Sequence, residues 1–367
     1  MPKKVVFCLG DGGNGEYYLA LRPHLEAAGV EHEVLMDPKG AAKVLLEKRG
    51  IPFRLTEGKE DIDCKQYDHV LVGSGNKARD LIRNATENAQ KAGVRVTWFC
   101  DIPHSGCEEA FRDLVPSSMA VFDGLTRDRL LKMKSALDES KIFVIGNPAF
   151  DNLPTLKKNH AVLRAAIFSS TGLRDLQDQL VVYFGSSSAQ FDLVGESLEP
   201  QIEWVQKNPR VKYYCATHPA DLKKDEVTAL VATLGSQLIT ERFSNDDLTV
   251  AADMVVTDYS TLGIQSCLIG TPTVFLMGPS AQAYQEKERG AKYPVFPVLD
   301  LARGFIYQGK SYTPALGVWN IARITEALDK VLLDPDQWRL MRLAAQLPEF
   351  ERMADGHAGE RFIKNVL

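Results

Sequence analysis

Val5-Val-Phe-Cys-Leu-Gly-Asp-Gly-Gly-Asn-Gly-Glu16 decides the fold. A short run of β-branched and aromatic residues breaks into glycines at 10, 12, 13 and 15, and residues 17–29 then carry apolar side chains at helical spacing. Strand, glycine turn and helix make the first half of a βαβ unit, because glycine lets the chain reverse tightly after a buried strand. Outward from this unit the rhythm repeats. Apolar runs at 33–36, 53–56, 69–72, 95–100, 119–122 and 142–145 alternate with helix-period stretches such as 77–93 and 126–137. A second series occupies 180–185, 212–216, 236–240, 254–257 and 273–277. Between them, Asn147-Pro-Ala-Phe-Asp-Asn-Leu-Pro154 combines residues that favour turns. The pattern predicts an α/β protein of two doubly wound, Rossmann-like domains facing a central cleft, at 1–155 and 156–350. A last helix within 351–367 is expected to cross back to the first domain.

A chain of 367 residues is long enough for two hydrophobic cores. Its 43 Lys+Arg against 48 Asp+Glu, with no long run of either sign, exclude the basic footprint of a nucleic-acid binder. The six cysteines are scattered without Cys-x-x-Cys spacing, which excludes the usual zinc and redox arrangements and predicts a reducing cytoplasm. No signal-peptide core opens the sequence and no apolar run approaches a membrane span, so membrane association is expected to be peripheral at most.

In doubly wound sheets ligands bind beyond the carboxyl ends of the strands, so the residues just after each strand carry the chemistry. After the first strand, Gly12, Gly13 and Asn14, candidate contacts for an acceptor, lie between two carboxylates, Asp11 and Glu16, either of which can serve as a general base. His104 follows the fifth strand and is a candidate contact for an acceptor. Gly185, Ser186 and Ser187 open the second series with small residues and hydroxyls suited to phosphate. His218, pinned by Pro219, can donate to a phosphate oxygen or carry positive charge toward it. Asp258 ends a buried strand, and Ser260 or Thr261 starts the next helix, whose N–H groups favour an anion without a metal. Each of these also has a plain structural reading as a turn or an N-cap.

Val144-Ile-Gly-Asn-Pro-Ala-Phe-Asp151, Val182-Tyr-Phe-Gly-Ser-Ser-Ser188 and Thr257-Asp-Tyr-Ser-Thr-Leu-Gly-Ile-Gln265 resemble, in that order, motifs of the GT-B superfamily of nucleotide-sugar glycosyltransferases. The first is similar to the Gly-Asn-Pro segment of the peptidoglycan N-acetylglucosaminyltransferase and of UDP-N-acetylglucosamine 2-epimerase-like proteins. His218-Pro219 with Ser260-Thr261 resembles the pairs of sialyl-, Kdo- and polyol-phosphate transferases. The resemblance implies that His218, Ser260 and Thr261 contact donor phosphate and that Gln265 reaches the sugar or ribose. It implies a UDP- or CMP/CDP-linked sugar as substrate, no separate cofactor or metal, and a glycan or lipid-linked acceptor. The expected function is a metal-independent glycosyltransferase of surface polysaccharide or glycolipid synthesis. The alternatives are a UDP-N-acetylglucosamine 2-epimerase-like isomerase, whose Gly-Thr-Arg-Pro-Glu opening is absent here, and a non-catalytic sugar-nucleotide-binding protein.

Overall fold

The computed structural model describes residues 4–56, 58, 62–75, 78–102, 105–107, 111–134, 136–174, 177–185, 192, 194–216, 229–230, 232, 243–258, 260–283, 305–307 and 310–367. The chain divides into two compact units, Met1–Asn152 with Arg352–Leu367, and Leu153–Glu351.

The first unit is built on strands β1 (Lys4–Leu9), β2 (Glu31–Met36), β3 (Arg54–Leu55), β4 (His69–Gly73), β5 (Arg95–Phe99), β6 (Ser118–Val121) and β7 (Ile142–Val144). They form one sheet in the order β3-β2-β1-β4-β5-β6-β7, and every pairing is parallel. Helices α1 (Gly12–Ala27), α2 (Ala41–Lys48), α3 (Arg79–Lys91) and α4 (Gly124–Met133) supply crossovers. The strand order reverses between β1 and β4, which makes their carboxyl ends the topological switch point. A core of Phe7, Tyr17, Tyr18, Leu21 and Phe99 packs on one face, with Tyr17 and Phe99 ring centroids 4.7 Å apart. The C-terminal helix, Ala358–Asn365, belongs to this unit and sets Phe362 against Tyr17 at 5.9 Å.

The glycine-rich stretch differs from its expectation as a loop ahead of a helix at Tyr17. Residues 12–15 are already the first turn of α1. Glycine is normally unfavourable in a helix, but crowding requires it here. A Cβ at Gly13 would fall 1.9 Å from Asp101 Oδ2, and one at Gly15 would fall 3.0 Å from both Ala42 Cβ and Leu45 Cδ2.

The second unit holds β8 (Gln179–Phe184), β9 (Val211–Ala216), β10 (Met254–Thr257), β11 (Thr273–Leu276) and β14 (Leu316–Val318), all parallel in the order β14-β11-β10-β8-β9. A hairpin of β12 (Phe305–Tyr307) and β13 (Lys310–Tyr312) stands apart from it. Helices α5 (Leu153–Lys158), α6 (His160–Thr171), α7 (Glu199–Lys207), α8 (Asn245–Ala251), α9 (Thr261–Ile269), α10 (Ile324–Leu333) and α11 (Pro335–Ala344) accompany the strands. Val181, Tyr183, Trp204, Val256 and Leu328 belong to one hydrophobic cluster, and Phe168, Leu180, Val182, Phe184 and Val255 to another. Neighbouring residues of β8 alternate between the two clusters, as they must when a sheet is covered on both faces. Here the order reverses between β8 and β10. The strand expected at 236–240 lies outside the described residues.

All six cysteines are free and buried. Among the described residues no helix is long and apolar enough to cross a membrane.

Candidate functional site

At the switch point of the first unit, Asp11 is the N-cap residue of α1, in extended conformation, and its side chain makes no capping bond. Its carboxylate lies against the chain after β4: a Cβ at Gly75 would fall 1.8 Å from Asp11 Oδ2. Asp101, two residues beyond β5 and 7% exposed, brings its own carboxylate onto Gly13. The positive end of α1 therefore meets an internal anion. Asn14 is buried beneath this layer, where its Nδ2 donates to Ser74 O at 3.0 Å. Ser74 Oγ donates to Phe99 O at 3.0 Å and lies 2.6 Å from Ser105 Oγ, so β4 and β5 are fastened together at their carboxyl ends. Among the described residues, the buried Asn14 Oδ1 and Tyr17 hydroxyl have no hydrogen-bond partner. Burial drives the Tyr17 phenol well above its ordinary range, so it stays neutral.

Of the residues expected here, Asp11, Gly12 and Gly13 come together at the strand ends. Asn14 is under the surface, and Glu16 is exposed in α1. Asp101 was not among the sequence candidates, although it follows its strand as closely as Asp11 follows β1.

At the switch point of the second unit, Gly185 N donates to Ala216 O at 3.0 Å, tying the end of β8 to β9. Asp258 is 2% exposed, and its carboxylate accepts from the Tyr183 hydroxyl at 2.5 Å and from the Ser197 hydroxyl. Burial, reinforced by this carboxylate, raises the Tyr183 phenol far above its usual range and keeps the proton on tyrosine. Asp258 thus binds the floor of the site together. Ser260 is the N-cap of α9, its Oγ accepting from Leu262 N at 3.3 Å, while Ser260 N donates to Thr257 Oγ1 at 3.2 Å and Gly263 N to Ser260 O at 3.0 Å. Capping engages several N–H groups expected to await an anion, leaving the exposed Thr261 as the described residue presented outward at the helix start. Gln265 is 3% exposed and donates to Asp246 Oδ1 at 2.9 Å, which fixes α9 to α8. Gly263 permits this packing, since a Cβ there would fall 2.5 Å from Phe275 Cε1 and 2.6 Å from Thr257 Cγ2.

His104, Ser186, Ser187, His218 and Pro219 lie outside the described residues. Among the described residues no cluster of His, Cys, Asp and Glu could hold a metal ion.

No family model and no curated protein matches the chain by sequence. Solved structures match over its whole length. One is a candidate UDP-N-acetylglucosamine 2-epimerase from Listeria monocytogenes, 15% identical, covering 100% of this chain and 96% of the other with a TM-score of 0.68. Another is UDP-GlcNAc 2-epimerase from Neisseria meningitidis bound to UDP-GlcNAc, 12% identical, with 99% of both chains covered and a TM-score of 0.62. A third is Anabaena HepE in complex with UDP-glucose, 14% identical, with 99% of both chains covered and a TM-score of 0.61. The fold is the GT-B-like fold of these proteins, two parallel-sheet α/β units with helices.

These comparisons correct the expected glycosyltransferase. Several of the matching structures are UDP-N-acetylglucosamine 2-epimerases by name, the reading the sequence had ranked second. The His-Pro and Ser-Thr pairs misled for a physical reason. Strand ends and helix starts receive phosphate in many parallel α/β sheets, so such residues speak to the phosphate and not to the reaction.

Proposed function

We propose that the protein is a UDP-sugar isomerase of the 2-epimerase kind, acting on UDP-linked N-acetylhexosamine with the nucleotide sugar as its sole small-molecule requirement. The observation that carries this reading is the pair of carboxylates, Asp11 and Asp101, seated on glycine beyond the ends of β1 and β5, on either side of β4, in a fold shared with enzymes bound to UDP-GlcNAc. Inverting a sugar carbon takes a hydrogen from one face and returns one to the other, which calls for groups that accept and give protons at fixed positions. Asp11 and Asp101 fill that role in the first unit. In the second unit, the start of α9 and the Thr261 hydroxyl are assigned to phosphate.

The test is incubation with UDP-N-acetylglucosamine in deuterated water, followed by proton NMR. Conversion to the manno isomer, or to free N-acetylmannosamine, with deuterium at carbon 2 is expected. Tight binding of the nucleotide sugar with neither inversion nor isotope uptake would leave a binding protein and end the enzymatic reading.

A further inference from the structure

Asp101 belongs to a short excursion after β5, so something must hold its main chain if its carboxylate is to stay on Gly13. On one side Cys100 N donates to Ala120 O at 2.9 Å, which is simple continuation of the sheet. On the other side the holding group is a side chain. Asn147, 5% exposed, donates from Nδ2 to Asp101 O at 2.7 Å and accepts Ala149 N on its Oδ1 at 2.9 Å. Both ends of one amide are used, and they join the 147–150 turn to the Asp101 peptide across 46 residues of sequence.

The turn itself is anchored beyond Asn147. Ile145 N and Gly146 N both donate to Val121 O, at 2.8 and 3.3 Å, and Ile145 O accepts Arg361 Nε at 2.8 Å. Gly146 has φ +89°, a conformation that suits glycine, and a Cβ there would fall 3.3 Å from Arg361 Nη2. Asp151, at the far end, accepts Ala358 N and Gly359 N at 2.8 Å each and so caps the C-terminal helix. The amide of Asn147 is therefore mounted on a segment fastened at both ends.

We propose that Asn147 is a positioning residue: through its bond to the Asp101 carbonyl it sets where the Asp101 carboxylate stands over Gly13. Its catalytic consequence rests on the isomerase reading above. The discriminating substitution is Asn147→Asp, which keeps the acceptor for Ala149 N, and with it the turn, while an ionised carboxylate cannot donate to Asp101 O. Asn147→Ala, which loses both bonds, serves as the comparison.

Amide hydrogen exchange is measured first, because it needs no activity. Asn147→Asp is expected to raise exchange several-fold across residues 100–107 while leaving 148–151 and the C-terminal helix as in the wild type. Unchanged exchange across 100–107 overturns the proposal whether or not the protein turns over any sugar. If the wild type inverts UDP-N-acetylglucosamine, kcat of Asn147→Asp is expected to fall roughly 10- to 100-fold with KM within about threefold, as a misplaced proton-transfer group demands. A wild-type kcat alongside raised exchange overturns it as well. A wild type without inversion counts against the isomerase reading, and exchange alone then decides whether Asn147 holds Asp101.

Discussion

The two switch points arise from the same kind of reversal in strand order and carry opposite chemistry. In the first unit carboxylates sit on top of the strand ends, Asp11 against Gly75 and Asp101 on Gly13, where only the missing Cβ makes room for them. In the second unit the carboxylate of Asp258 is turned inward and saturated by the Tyr183 and Ser197 hydroxyls, and the helix start beside it caps itself through Ser260. One strand end presents acid groups; the other presents the Thr261 hydroxyl. The lesson is that a parallel sheet fixes where a ligand goes, while the residues one or two places past each strand fix what can be done to it.

The contrast can be broken most severely at Gly13. Gly13→Ala forces the Asp101 carboxylate away from α1, and UDP-N-acetylglucosamine inversion is expected to fall ~100-fold or more, measured as kcat. The corresponding change in the second unit should damage stability. Asp258→Ala leaves two buried hydroxyls without their acceptor and is expected to lower the unfolding free energy by about 3 kcal/mol in urea titrations. A small loss there would mean that the carboxylate is not the buried tie described above.

Acid should distinguish the units next. His69, at the start of β4 and 1% exposed, places Nε2 2.7 Å from Thr97 Oγ1, and burial, with a smaller contribution from Arg95, pushes its pKa down to about 3. The unfolded chain takes up this proton near pH 6.5 and the folded one does not, so stability is full above that pH and is lost as pH falls toward 3. The loss reaches on the order of 3 kcal/mol by pH 4.5 at ~1.4 kcal/mol per unit, and His69→Gln should remove it. Melting curves recorded from pH 7.5 to 4.5 check both statements. The smallest effect is expected at Asp151. Asp151→Ala uncaps the C-terminal helix and should cost about 1 kcal/mol, read as faster amide exchange over residues 358–365 with little change elsewhere.

Much of the fold was legible because strand, turn and helix announce themselves locally. The runs at 5–10, 69–72 and 95–100 coincide with β1, β4 and β5 to within a residue at each end. The first turn of α1 was less legible, since glycine propensity argues for a loop and only the neighbours Asp101, Ala42 and Leu45 explain why a helix tolerates it. Asp11, Gly12 and Gly13 could be picked out from position and residue type alone. Asp101 stands just as close to the end of its strand and was passed over, because its meeting with Gly13 depends on the order β1-β4-β5, a fact about strand order that no short stretch contains. Asp258 and Gln265 show the converse. Their residue types suit a ligand, yet burial commits them to Tyr183, Ser197 and Asp246, and burial is decided by packing from distant parts of the chain.

The cap that Asp151 places on the C-terminal helix also sets an order of events. The sheet of the first unit is complete by Val144, but Ala358, Phe362 and Val366 belong to the same core as Tyr17, Leu21 and Leu25. During synthesis the face of α1 that carries these residues stays open to water while all of the second unit is made. The unit that begins first is closed last, and the glycine-bound carboxylates of the first unit acquire their full support only when the second unit is already complete.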